Sequence, residues 1–215
     1  MPTFSIALSG CDLRCDFCIT GAESWNARAG RGFAADAMAA RAEAAMQNGA
    51  RTIMVLGGEP TIHLPAALEL VSLLPQSAKL VWKTNAHGSA QARELLDGMF
   101  DVWLADFKFG NDDCAQRLAK VSDYIRVTQE NLLWADAHTE LIVRHLLMPG
   151  HGECCWRPVA AWLAENLPGV KVNLRTGFWP AWHARRHNEL QKAITVAEND
   201  AACKLAHQLG LNLIA

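Results

Sequence analysis

The 215 residues carry 20 Lys and Arg against 22 Asp and Glu, and 51% of them are hydrophobic, enough to bury a sizeable core in a length expected of one domain over 1–215. With a formal net charge of −2 and scattered basic residues, the chain offers no electrostatic footprint for nucleic acid. No apolar run reaches the length that spans a bilayer and no basic, then apolar leader opens the chain, so no membrane and a cytoplasmic location are expected, a reducing compartment that suits seven Cys without disulfide spacing.

The first apolar run, residues 4–8, reads as a buried strand and leads into Cys11, Cys15 and Cys18. A helix follows over 34–48, where Met38, Ala42, Ala45 and Met46 repeat at helical spacing and Gly49 supplies the stop. The second strand, 52–56, ends at Gly57-Gly58-Glu59-Pro60, and a helix over 64–74 is bracketed by Pro65 and Pro75. Strands over 80–84 and 102–107 flank a helix over 90–96, and polar residues gather at both strand ends. A helix over 113–120, strands over 124–127 and 141–147, a helix over 157–166, a strand over 170–174 and a helix over 200–209 complete the pattern. Strands alternating with helices imply parallel pairing through right-handed crossovers. The expected fold class is therefore α/β, a full or partial (β/α) barrel of parallel strands with outer helices. In such barrels the working groups sit on loops after the C-terminal ends of strands. The Cys loop, Gly57-Gly58, Asn85 and the Asp106 to Lys108 segment each follow one.

Three thiolates spaced C-x3-C-x2-C can ligate three irons of a four-iron cluster and leave the fourth without a protein ligand. Structural iron–sulfur sites close with a fourth Cys and structural zinc sites use four ligands, so a tight trio points to an open metal position. Taken alone, the trio also fits a zinc-knuckle fragment or buried thiols. With the downstream motifs it resembles the radical S-adenosylmethionine (SAM) superfamily. Phe17 just before the last Cys, Gly57 to Pro60, Lys83-Thr84-Asn85, Asp106-Phe107-Lys108 and Arg144 through Met148-Pro149-Gly150 stand in the order seen in pyruvate formate-lyase activating enzymes and their relatives.

That resemblance implies a 4Fe-4S cluster on Cys11, Cys15 and Cys18, with SAM on the open iron and near Phe17, Gly57, Gly58, Glu59, Asn85, Asp106 and Arg144. It also implies reductive cleavage of SAM to a 5′-deoxyadenosyl radical that abstracts hydrogen from a substrate, with an electron donor such as flavodoxin or ferredoxin. In the activating enzymes the substrate is a glycine of a partner protein. Modification of a peptide or small molecule is an alternative, and a non-enzymatic redox module is a further one. Glycines without Cβ let a ligand approach the backbone, and Glu59 offers acceptors to the SAM amino group. Arg144, in an apolar strand, needs an anion, either a ligand's or that of Asp106, while His145 faces the other side. Asp106 and Lys108 share a strand face. At Lys83 the chain departs from the family, which places there an Asp of a monovalent-cation site; a fixed ammonium can take the cation's place.

The other four Cys are expected to hold no cluster iron. Cys114 and Cys203 fall in helical patterns and read as core, and Cys154-Cys155 as a loop pair. His183 and His187, four apart without the Glu of a zinc-protease motif, read as a solvated helix face. Residues 150–156 and 178–186 are irregular, as barrel-mouth lids are, and Trp179 and Trp182 around Pro180 are candidates for a substrate entrance.

Overall fold

The computed structural model describes residues 2–214. Seven strands, β1 (Thr3–Leu8), β2 (Thr52–Gly57), β3 (Leu80–Thr84), β4 (Val102–Asp106), β5 (Glu140–Leu146), β6 (Lys171–Arg175) and β7 (Asn212–Leu213), form one sheet in sequential order. Every neighbouring pair is parallel. Among the described residues β1 and β7 are the two edges, so the sheet is open and the barrel is partial. The helices are α1 (Ala22–Trp25), α2 (Ala35–Gln47), α3 (Leu64–Leu73), α4 (Ala90–Leu95), α5 (Asp112–Ala119), α6 (Tyr124–His138), α7 (Arg157–Asn166) and α8 (Val196–Gln208).

Alternation along the strands divides the sheet into two faces. Val55, Trp82, Ala105 and Val143 are fully buried in the core. Their neighbours Leu56, Lys83, Asp106 and Arg144 turn the other way and line a cavity at the strands' C-terminal ends. Large buried side chains such as Trp82, whose ring lies 4.9 Å from that of Phe100, stabilise the sheet by about 1.5–3 kcal/mol each. Helix starts follow local chemistry. Asn111 Oδ1 accepts from Cys114 N at 2.8 Å to cap α5, and Thr195 with Glu198 forms a capping box at α8.

The strand expected over 124–127 is overturned, since Tyr124 opens α6. Tyr124, Thr128, Asn131, Leu132 and Ala135 are all buried, a spacing of four, three, one and three that is helical. The four-residue apolar run is its first turn, and a run that short has no period of its own. The short strand β7 and the single-turn α1 were not foreseen.

Candidate active site

The Cys loop leaves β1 through Gly10, whose φ is +79° and where a Cβ would lie 2.6 Å from Ala27 Cα, so only glycine fits. Its backbone is tied down along its length. Gly10 N donates to Glu23 O at 2.9 Å, Arg14 N to Ala119 O at 2.8 Å and Asp16 N to Leu118 O at 2.8 Å, so the end of α5 underlies it. Asp16, only 4% exposed, accepts from Lys120 Nζ at 3.0 Å and His187 Nε2 at 2.7 Å, with His183 Nδ1 at 3.8 Å. The two histidines therefore do not form a solvated helix face. They flank a single 3-10 turn, Ala184–Arg186, and strap the C-terminal segment to the Cys loop. Burial alone would raise the Asp16 carboxyl, but the His187 and Lys120 hydrogen bonds outweigh it and hold the group below the usual carboxylate range.

The glycine pair has a second, internal reason. A Cβ on Gly57 would lie 2.0 Å from Leu8 O, and one on Gly58 would lie 2.0 Å from Gly10 O. Their absence lets Gly58 N donate to Leu8 O at 3.1 Å and Glu59 N to Gly10 O at 2.9 Å, clasping the two loops together. Gly57 and Gly58 line the cavity, whereas the Glu59 carboxylate lies behind its wall, 1% exposed. There Oε1 accepts from Thr61 N at 3.2 Å, Thr61 Oγ1 at 2.5 Å and Thr84 Oγ1 at 2.9 Å, and Oε2 from Asn85 N at 2.6 Å. Glu59 thus braces the β2 loop against the end of β3. Burial, with the Asp12 charge nearby, raises its pKa despite those bonds.

The cavity, of about 420 Å³, is lined by Cys11, Cys15, Phe17 and Cys18 on one side and by Lys83, Asn85, Asp106, Lys108 and Arg144 on the other. Burial pushes the Cys15 thiol up to about 12 and raises Cys11 as well. Hydrogen bonds from Thr20 and Ser24 override the burial of Cys18 and lower it. Asn85 Nδ2 points at Cys11 Sγ from 3.6 Å and donates to Asp12 Oδ1 at 2.7 Å. Phe17 packs its ring 6.1 Å from Phe109 and 6.4 Å from Phe178.

On the opposite wall one carboxylate gathers three cations. Asp106 accepts from Lys108 Nζ at 2.5 Å and Arg144 Nε at 2.8 Å, with Lys83 Nζ at 3.7 Å. The β4–β5 register sets Asp106 directly beside Arg144. Burial would raise Asp106, but the three cations drive it far below the usual carboxylate range. His145 faces away as expected, its Nδ1 bonded to Phe107 O at 2.7 Å, and burial lowers it to about 4.

Sequence reasoning missed two contributors, Tyr124 and Arg175. Tyr124, assigned to a strand, uses its hydroxyl to accept from Lys108 N at 2.7 Å and so fixes the Asp106–Lys108 turn. Arg175, at the end of β6, lines the cavity, and the strand-end rule that found Asp106 could have found it too. Trp179 lines the cavity, while Trp182 packs against Gly21 and sets its ring 5.7 Å from that of Trp25.

The sequence profile of the Radical SAM superfamily matches residues 5–163, a span that holds the Cys loop, the glycine pair and the Asp106–Arg144 wall. The chain belongs to the radical SAM superfamily. This radical SAM protein is 35% identical over 165 residues to an uncharacterised protein, MJ0674, of Methanocaldococcus jannaschii, covering 76% of this chain and 48% of that one. The chain therefore spans about half the length of that curated relative. Its fold is similar to that of Streptococcus suis SuiB bound to S-adenosylmethionine, with a TM-score of 0.72 at 17% identity over 100% of this chain and 50% of that chain. SuiB bound to precursor peptide SuiA superposes with a TM-score of 0.69 at 17% identity, over 99% and 48% of the two chains. A domain of the pyruvate-formate lyase-activating enzyme of Bacteroides vulgatus gives 0.60 at 16% identity, over 76% of this chain and 97% of that one. The radical SAM domain implies a 4Fe-4S cluster and SAM as its cofactors. Among the described residues no helix is long and apolar enough to cross a membrane.

Proposed function

We propose that this chain holds its 4Fe-4S cluster on Cys11, Cys15 and Cys18, binds SAM across the strand ends, and takes hydrogen from a polypeptide segment presented at the cavity mouth. The observation that carries the proposal is the convergence of the three Cys, the glycine pair and the Asp106 cation group on one cavity. The residues fit both cofactors. Three thiols reach one wall, and cluster assembly must displace the protons that burial holds on Cys11 and Cys15. The Asn85 amide supports Cys11 with an N–H···S contact, of the kind that tunes cluster potential.

When bound, the two cofactors together supply the electron and the 5′-deoxyadenosyl radical; the remaining work belongs to the protein. Gly57 and Gly58 leave room for SAM against the backbone, Phe17 flanks the cluster side, and Lys83, Lys108 and Arg144 offer positive charge to the SAM carboxylate around Asp106. Phe17, packed against the buried Phe109 and Phe178, gives the cavity an apolar wall that would exclude water from the reacting volume.

The mouth supports a polypeptide substrate. Ile19 is 81% exposed and Trp179 68% exposed, and both line the cavity, giving an apolar rim. SuiB, of the same fold, binds a precursor peptide. A glycine in a partner enzyme, the substrate of activating enzymes, is one such segment; flavodoxin or ferredoxin fits as electron donor.

Anaerobic reconstitution with chemical reductant tests the proposal. It should yield 5′-deoxyadenosine from SAM in the native protein and none in Cys15→Ser. Deuterium from a uniformly deuterated peptide or partner protein should then appear in the deoxyadenosine. Reconstituted protein that binds SAM but never cleaves it would favour a redox module instead.

A further inference from the structure

A second set of thiols lies outside the cavity. Cys114, in the first turn of α5, meets Cys154 and Cys155, in the single π-helical turn Gly152–Trp156 after β5. The three sulfurs lie within 4.8 Å of one another, with Cys114 Sγ and Cys155 Sγ each 3.9 Å from Cys154 Sγ. From the sequence these are a helix residue and a loop pair some forty positions apart, with nothing to connect them. In the structure, Cys114 and Cys155 are buried and Cys154 opens to solvent.

The backbone is built to bring them together. A Cβ on Gly110 would lie 2.4 Å from Cys155 O and 2.9 Å from Cys154 O, so only glycine lets the two loops approach this closely. Asn111 holds both sides at once. Its Oδ1 accepts from Cys114 N at 2.8 Å and its Nδ2 donates to Cys154 O at 2.7 Å. Arg117 lies on the same helix, where its guanidinium bonds Glu189 Oε1 at 2.5 Å.

We propose that Cys114, Cys154 and Cys155 form a second metal site, a mononuclear three-thiolate centre for a thiophilic closed-shell cation, Zn²⁺ foremost. The spacing decides the class. Zn–S bonds of about 2.3 Å at tetrahedral angles separate two sulfurs by about 3.8 Å, close to the two separations seen here. In a four-iron cluster each thiolate takes a different iron and the sulfurs stand farther apart, which excludes an auxiliary cluster. A disulfide needs about 2.05 Å, so none of the three pairs is bonded. Because Cys154 is exposed, water or an added ligand could take the fourth coordination position. Bound metal would staple the first turn of α5 to the π-helical turn after β5.

The site is independent of the SAM reading and is tested on the cluster-loaded holoenzyme, where iron already occupies Cys11, Cys15 and Cys18. Anaerobic exposure to Zn²⁺, followed by gel filtration and elemental analysis, should find about one zinc per chain beyond the iron, with X-ray absorption showing sulfurs at about 2.3 Å. Cys154→Ser, at an exposed position that leaves packing intact, should weaken zinc binding at least about tenfold without changing iron content. Cys203→Ser should change neither. Bound zinc should also shield Cys154 from alkylation in the native holoenzyme. Zinc content unaffected by Cys154→Ser would overturn the proposal, and so would a native holoenzyme that takes up no zinc and alkylates Cys154 at the same rate with or without it.

Discussion

Replacing Glu59 by Ala separates a bracing role from a ligand role. The carboxylate is 1% exposed and accepts four hydrogen bonds, two of them from donors with no route to water, Thr84 Oγ1 and Asn85 N. Leaving a buried donor without an acceptor costs about 1–3 kcal/mol, so the pair costs about 2–6 kcal/mol. Truncation also removes a buried charge that its surroundings disfavour, since burial and Asp12 raise the Glu59 pKa, which puts the expected loss in the lower half of that range. Glu59→Gln retains an acceptor oxygen but turns its amide against Asn85 N or against the Thr61 and Thr84 hydroxyls. It should lose about 1.5–3 kcal/mol, the worth of a hydrogen bond to a charged group. The assay is denaturant unfolding of the apoprotein at fixed slope, paired with SAM affinity of cluster-loaded protein. The bracing role predicts a lowered midpoint, with SAM affinity in the surviving folded fraction changed only modestly. An unchanged midpoint with SAM affinity reduced tenfold or more would refute it and make the carboxylate a ligand for the SAM amino group.

Other outcomes follow from the same geometry. Tyr124→Phe removes the acceptor of the buried Lys108 N–H and should cost about 1–3 kcal/mol in the same unfolding assay, because no other partner replaces the 2.7 Å contact. Lys83 lies 3.7 Å from Asp106, so SAM cleavage should not respond to exchanging potassium for sodium at constant ionic strength, whereas Lys83→Asp should create such a response. The Asp16 carboxyl is held below its ordinary pKa, so its contribution to stability is complete above about pH 4 and is lost as pH falls through the lower folded value. Asp16→Asn should flatten the acid limb of the stability profile below about pH 4, measured by unfolding midpoints across that range.

What the sequence revealed is what lies close together along it. The Cys trio spans eight residues, and buried strands announce themselves as short apolar runs, so the Cys loop at the end of β1 and six of the seven strands could be read directly. The failures are non-local. Residues 124–127 looked like a strand because the run was too short to show a period, and only the tertiary contacts of Thr128, Asn131 and Leu132 reveal the helix. His183 and His187 looked solvated because nothing nearby in the chain needs them; their partner Asp16 is 171 positions from His187. The bracing of the Glu59 carboxylate was likewise not legible, because two of its donors, on Thr84 and Asn85, lie at the end of the next strand. The thiol trio of Cys114, Cys154 and Cys155 was invisible for the same reason, as Cys114 lies on α5 and the other two on the π-helical turn after β5.

The wall opposite the cluster shows how such non-local pairing sets function. Asp106 is a single anion shared by three cations, and its partners do not hold it equally. Lys108 bonds it at 2.5 Å, and although burial opposes the charged form, Asp106 raises the Lys108 pKa above its usual value. Arg144 bonds it through Nε at 2.8 Å, leaving the terminal nitrogens of the guanidinium free of that contact. Lys83 stands at 3.7 Å, beyond hydrogen-bond reach, and its pKa is lowered by burial more than Asp106 can restore, with Lys108 and Arg144 adding repulsion. Two unit charges 4 Å apart interact by about 4 kcal/mol at the effective dielectric of a protein surface, so a second anion beside Lys83 and Arg144 would relieve a repulsion of that order. Three cations against one anion leave the wall with two uncompensated positive charges. A carboxylate brought to the strand ends, across the cavity from the three Cys thiols, would offset part of that excess, and the amino-acid moiety of SAM carries one.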